Sequence, residues 1–188
     1  NCELAEMGRD MGCQMMVEGP GHVPLDEIKG NIMLEKRMSD NAPYYVLGPI
    51  PCDTGAGYDH ISAAVGAASS ARYGADLICY ITPVEHLALP GVEDVREGVR
   101  ATRLAARIGD IAKYPDRREN ERKAAMARRD MDWEDLEKYL LFPDKARQVR
   151  ESRAPAEKKT CTMCGDFCAM KKGMEIFEKD LKTKRRPA

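Results

Sequence analysis

Apolar positions along this chain come as short unbroken runs, separated by longer stretches in which they recur every three to four residues. That alternation reads as buried strands followed by amphipathic helices. NCELAEMGRDM at 1–11 is the end of a helix stopped by Gly12. CQMMV at 13–17 is a candidate buried strand, and after the loop EGPGHVP a helix runs from about Leu25 to Met38, with Pro24 at its start. A second strand, Tyr44–Leu47, feeds the loop GPIPCDTGAGYDH, and the Ala-rich ISAAVGAASSARY follows as a helix ending at Gly74. A third strand, Asp76–Ile81, leads through TPVEHLALPGV into a helix from about Glu93 to about Lys113. Strand starts near 13, 44 and 76 give a repeat of about 31–32 residues, the length of one unit of a (β/α)8 barrel. Continuous rather than alternating apolar strands fit a parallel sheet covered by helices. An open doubly wound sheet fits the same pattern.

Beyond residue 113 the pattern becomes polar. DRRENERKAAMARRD at 116–130 predicts a solvent-exposed helix, and Asp130 or Asp132 caps another through Trp133, Leu136 and Leu140 to Phe142, before Pro143. ESRAPAEKKT at 151–160 is linker-like. The expected organisation is βα units over 1–113, a charged helical segment over 114–150 and a tail over 151–188. On the helix from Glu93, Arg96, Arg100, Arg103 and Arg107 share one stripe, read as a solvated or ion-paired face with phosphate binding as the alternative. Leu104, Ile108 and Ile111, with Ala101 and Ala105, form the opposing apolar face.

Charge divides the chain more sharply than its net of −1 suggests. Residues 1–95 hold 5 Lys/Arg against 14 Asp/Glu, and residues 96–188 hold 25 against 17, so the halves are −9 and +8. Only 6% of residues are aromatic and none interleave the basic residues as RNA-binding motifs do, which argues against a nucleic-acid partner. Seven cysteines without a regular framework suit a reducing, cytoplasmic setting rather than disulfides. No run of about eighteen apolar residues marks a membrane span, and no signal peptide is present. The chain opens at Asn1 in mid-helix and reads as a piece of something longer.

The sharpest chemical signal is Cys161, Cys164 and Cys168, three thiols within eight residues of the run KKTCTMCGDFCAMKK. Thiolates so close together converge on a soft metal centre more readily than they pack as apolar groups. Three ligands suit a four-iron cluster with one open iron; structural zinc with a fourth ligand from elsewhere, or no metal, are the alternatives. The chain's three histidines, His22, His60 and His86, each fall in the loop after a different strand, with Glu18, Asp59 and Glu85 nearby. In parallel α/β folds those loops gather at one face, where two neutral imidazoles could hold a divalent metal such as zinc or iron.

VEGPGHVPLDEI, APYYVLGP, GYDHI, CYITPVEHLALP and CTMCGDFCAMK, in that order, closely resemble the phosphomethylpyrimidine synthase family, a radical S-adenosylmethionine group. The resemblance implies an α/β fold: the C-terminal part of a (β/α)8 TIM barrel, then a helical segment and a C-terminal iron–sulfur cluster tail. It also implies a homodimer in which the tail serves the partner's barrel, and an N-terminal half, fused or separate, without which this piece is inactive. The implied reaction converts 5-aminoimidazole ribonucleotide to 4-amino-5-hydroxymethyl-2-methylpyrimidine phosphate in thiamin biosynthesis, releasing formate and carbon monoxide. By motif, Glu18 and Tyr45 are substrate contacts, and His22 and His86 are ligands of a divalent metal. Cys161, Cys164 and Cys168 hold a 4Fe–4S cluster that binds S-adenosylmethionine. Cys79 matches a cysteine near the active site, with an inert buried strand residue as its other reading.

The chain departs from that pattern in two places. The spacing Cys164–Cys168 is one residue shorter than in many members, which leaves the cluster intact. Where the family usually reads TDIAPGYDHI, this chain has CDTGAGYDHI, altered at Cys52, Thr54, Gly55 and Ala56. A lost proline and a gained glycine loosen that loop. The pyrimidine product is the reading preferred on sequence alone. Its alternatives are the paralogous 5-hydroxybenzimidazole synthase of anaerobic cobalamin synthesis, which starts from the same nucleotide, and a non-enzymatic zinc module that binds nucleic acid.

Overall fold

The computed structural model describes residues 1–154 and 160–184. These fall into two compact units, one from Asn1 to Arg117 and one from Arg118 onward. The first alternates helix and strand: α1 (Cys2–Asp10), β1 (Val17–Glu18), α2 (Leu25–Met38), β2 (Tyr44–Leu47), α3 (Asp59–Tyr73), β3 (Leu77–Cys79) and α4 (Val92–Lys113). All three strands are parallel, in the order β1-β2-β3. The unit is therefore α/β, mostly helical, around a small parallel sheet.

Helix α2 shows why these residues fold as they do. Pro24 caps it with φ −51°, Asp26 and Glu27 occupy its first turn and Lys36 and Arg37 its last, so charge complements the helix dipole at both ends. Ile28, Ile32 and Glu35 fall on its buried stripe. The two isoleucines join Val17, Val23, Tyr44 and Val46 in the main core. Past the helix, Asp40 and Asn41 take left-handed conformations and turn the chain into β2. Asp76, just ahead of β3, accepts the Tyr44 amide at 2.9 Å and pairs with Lys36, tying α2 to the entries of β2 and β3.

Helices α3 and α4 pack through small residues. Ala63, Gly66, Ala67, Ser70 and Ala71 are the buried stripe of α3, together with Asp59 in its first turn. A Cβ on Gly66 would stand 2.0 Å from the Pro49 carbonyl oxygen, and one on Gly109 of α4 would stand 2.3 Å from the Ala71 Cβ. Close approach excludes any side chain at either position. This corrects the expected apolar face of α4 in part. Ala105 is buried as expected, but its companions on the buried stripe are Gly98, Thr102 and Gly109, whereas Leu104 and Ile108 are 49% and 51% exposed. The tight α3–α4 contact selects small volume over apolar character. Arg96 and Arg100 pair with Glu93 and Glu97 one turn earlier on their own helix.

The strand expected over 13–17 is displaced. Only Val17 and Glu18 pair with β2, and Met16 is exposed while Met15 packs on the core outside any strand. In the second unit, α5 (Arg117–Arg129) is followed by α6 (Trp133–Glu137), whose cap is Asp132 accepting the Asp135 amide at 3.0 Å. The expected continuation to Phe142 does not form. Pro143 opens α7 (Pro143–Ser152) and pushes Phe142 to φ −134° and ψ 66°, out of the helical region. The tail carries α8 (Ala169–Lys184). No helix among the described residues is long and apolar enough to cross a membrane.

Candidate functional site

Successive side chains of a strand point to opposite faces, so the register sorts the sheet. Val17 pairs with Tyr44 and Val46 with Ile78, and this face is packed into the core. Glu18 pairs with Tyr45, Tyr45 with Leu77 and Leu47 with Cys79, which places Glu18, Tyr45 and Cys79 together on the other, open face. Glu18 is exposed, and Tyr45 and Cys79 are half-buried. Interaction with the Cys79 side chain, then burial, then the Glu18 carboxylate, push the Tyr45 pKa up to about 12. Tyr45 therefore stays a neutral phenol, able to donate a hydrogen bond, across the physiological range.

The loops that follow the strands carry the histidines. Beyond β1 the parallel pairing continues as a bridge between His22 and Ile50. The Ile50 amide donates to the Gly21 carbonyl at 2.7 Å, and the Val23 amide to the Ile50 carbonyl at 3.3 Å. His86, in the loop after β3, has φ 58°, a conformation uncommon outside glycine and concentrated at functional sites. The rings of His22 and His86 stand 5.9 Å apart between centroids, at 30° to each other. Two imidazoles on one tetrahedral ion, with metal–nitrogen bonds of about 2 Å, put their ring centroids roughly 5 Å apart, so the two rings stand near the spacing that a shared ion requires. Among the described residues no third His, Cys, Asp or Glu completes such a group.

His60 is not part of this pair. Its ring stacks on Tyr58 at 6.5 Å, and its Nδ1 is buried without a hydrogen-bond partner. The acids flagged beside the histidines in sequence have other duties. The Glu85 carboxylate accepts from the Thr82 amide and hydroxyl at 3.3 and 3.2 Å and shapes the loop, and Asp59 is buried in the first turn of α3. The carboxylate that meets a histidine is Asp53, in a 3₁₀ turn at Asp53–Gly55, with Oδ1 2.6 Å from His22 Nδ1. Thirty-one residues separate the two, and only an acidic residue in a second βα loop hinted at it.

A second feature that sequence did not reveal is Glu35. It is 6% exposed, and neither carboxylate oxygen has a hydrogen-bond partner. It lines a cavity of about 560 Å³ beside β1 with Cys2, Glu18 and Tyr44. Burial, then Glu35 and Cys2, raise the Tyr44 pKa above its ordinary value.

In the second unit, Cys161, Cys164 and Cys168 are all free thiols, half-exposed, exposed and buried respectively. A 3₁₀ turn at Gly165–Phe167 carries the chain from Cys164 to Cys168. The Phe167 amide donates to the Cys164 carbonyl at 3.0 Å, and the Cys168 carbonyl accepts from Lys172 in the first turn of α8. Among the described residues the three thiols do not converge on one point. Their chemistry still fits an iron–sulfur cluster: three soft donors, not committed to disulfides, on one short turn.

A family model described as the Radical SAM ThiC family matches residues 1–175. A 5-hydroxybenzimidazole synthase of Desulforapulum autotrophicum is 79% identical over 97% of this chain and 42% of its own length. Another, of Geobacter metallireducens, is 62% identical over the same shares. Phosphomethylpyrimidine synthase 1 of Methanosarcina barkeri is 52% identical over 91% of this chain and 40% of its own. The chain thus spans about two-fifths of the length of the curated relatives it matches.

Proposed function

The chain belongs to the Radical SAM ThiC family, and from that premise we propose that its protein is a radical enzyme converting 5-aminoimidazole ribonucleotide to 5-hydroxybenzimidazole. The observation that carries the choice of product is the gradient of similarity, 79% to a 5-hydroxybenzimidazole synthase against 52% to a pyrimidine synthase. The loop at Cys52–Ala56, which departs from the pyrimidine synthase pattern, supports the same choice. Here the relatives outweigh the preference from motifs alone. The pyrimidine phosphate is the second reading, favoured by the shared motifs and the Methanosarcina relative.

On this reading the three βα units are part of a (β/α)8 barrel whose remaining units lie elsewhere in the protein, and the tail serves a partner subunit. Cys161, Cys164 and Cys168 hold a 4Fe–4S cluster with S-adenosylmethionine, and His22 and His86 hold zinc or iron. The chemistry that the bound cluster and S-adenosylmethionine supply is one-electron cleavage to methionine and a deoxyadenosyl radical. The chain's own residues bind and orient. Glu18 accepts hydrogen bonds from the nucleotide, and Tyr45, a neutral phenol, donates to it. Cys79, beside Tyr45, lies on the same open face.

Mass spectrometry of products from anaerobic turnover with 5-aminoimidazole ribonucleotide, S-adenosylmethionine and reductant tests the proposal. 5-Hydroxybenzimidazole is expected. Hydroxymethylpyrimidine phosphate without it would reverse the choice of product. Zinc in place of iron and sulfide in anaerobically purified protein would instead support the non-enzymatic module.

A further inference from the structure

His22 is held twice. Its backbone is fixed by the bridge to Ile50, which sets where its Cα stands but leaves the ring free to turn. The second hold is the hydrogen bond from Nδ1 to Asp53 Oδ1 at 2.6 Å. The two side chains are 49% and 76% exposed, and ion pairs that wet contribute little to stability. The consequence of the contact therefore falls on the ring's direction and tautomer rather than on folding. A carboxylate only accepts, so in the neutral imidazole this contact holds the proton on Nδ1 and leaves the lone pair on Nε2. Asp53 is itself anchored by its neighbours. Cys52 Sγ lies 3.4 Å from Thr54 Oγ1, and Ser62 Oγ of α3 donates to the Cys52 carbonyl at 3.4 Å.

Building on the two-histidine metal site proposed above, we infer that Asp53 is a positioning residue that presents His22 to the ion through Nε2. Metal-bound histidines almost always donate their other ring N–H to such a partner, and losing that partner weakens metal binding about 10–100-fold. The segment Cys52–Ala56, in which this chain departs from the pyrimidine synthases, thereby carries the residue that sets the geometry of the His22–His86 pair. Sequence change in that loop reaches the metal site through one carboxylate.

The test compares wild type with Asp53→Ala, Asp53→Asn and His22→Ala in the full-length protein, reading zinc affinity by competition with a chromophoric chelator. Asp53→Ala is expected to bind zinc about 10–100-fold more weakly, and Asp53→Asn, whose amide oxygen still accepts from Nδ1, to recover most of that loss. In the metal-free protein, nitrogen NMR of His22 is expected to show the Nδ1-protonated tautomer in wild type and a mixture in Asp53→Ala. Unchanged zinc affinity in Asp53→Ala, with binding lost in His22→Ala, would overturn the role of Asp53 alone. Unchanged affinity in both variants would overturn the two-histidine site as well. An unchanged tautomer in Asp53→Ala would reject the positioning role whatever the affinities.

Discussion

In the first unit, Glu18, His22, Tyr45, Asp53, Cys79 and His86 come from separate strands and loops yet share one open sheet face and its rim. In the second, Cys161, Cys164 and Cys168 lie within one short stretch and share only a turn. The first arrangement rests on burial: Ile28, Ile32, Val46 and Ile81 are almost wholly excluded from solvent behind the sheet. The second has little of it, with Ala127, Leu136 and Cys168 the buried apolar residues among those described. A site built on a core is shaped before its ligand arrives. Where burial is scarce, the ligand supplies much of the ordering, and metal binding becomes part of folding. On the proposed reading the histidine pair is the first case and the cysteine turn the second.

The comparison breaks most visibly at the cysteines. Replacing Cys164 by Ser puts a hard hydroxyl where iron needs a thiolate, and S-adenosylmethionine cleavage should fall by at least about three orders of magnitude. The unfolding midpoint of the first unit should not move. Wild-type amounts of deoxyadenosine from that variant would remove the cluster assignment. His86→Ala is the complementary cut. Losing one of two protein ligands should weaken the second metal by about 100-fold or more while the cluster's visible absorption stays as in wild type. A bleached cluster spectrum would show that the two sites are not independent.

Gly66→Ala attacks the support rather than the site. Its new Cβ would meet the Pro49 carbonyl at 2.0 Å, and backbone cannot swing aside as a flexible side chain can. Overpacking of this kind costs about 1–3 kcal/mol, so a clear fall in the urea midpoint is expected. An unchanged midpoint would mean that α3 stands further from the sheet than described. Such contacts also mark the limit of what sequence discloses. Helix α2 and strand β2 were legible because Pro24 and the apolar spacing punctuate them. CQMMV misled because a short apolar run, broken only by Gln14, states no register, and Met16 faces solvent. On α4 the apolar residues were visible, but the helix buries glycines instead, since the distance between two helices is not written in either one. The three cysteines and the histidine loops stand out in the sequence by residue type and spacing. Asp53 against His22 does not, because their contact exists only once two loops are folded together.

The smallest expected effect is a dependence on pH confined to the sheet face. Tyr45 has its pKa pushed up to about 12 from an ordinary 10.0, first by its interaction with the Cys79 side chain. A phenol held above its unfolded value binds its proton more tightly in the folded state. Its contribution to stability is therefore complete below about pH 10, declines as pH rises further and is gone above about 12. Tyr44, raised by burial and by Glu35, adds a decline of the same sign. Tyr45→Phe removes one of the two, so the denaturant midpoint of the variant should fall less steeply between pH 10 and 11.5 than that of wild type, with part of the slope left to Tyr44. Cys79→Ala should act in the same direction by removing the largest cause, and the tyrosinate absorbance should then develop at lower pH. Neither change reaches the cysteine turn, so the cluster's visible absorption at neutral pH should match wild type in both. Equal slopes in wild type and Tyr45→Phe would mean that Tyr45 and Cys79 do not meet across the strands.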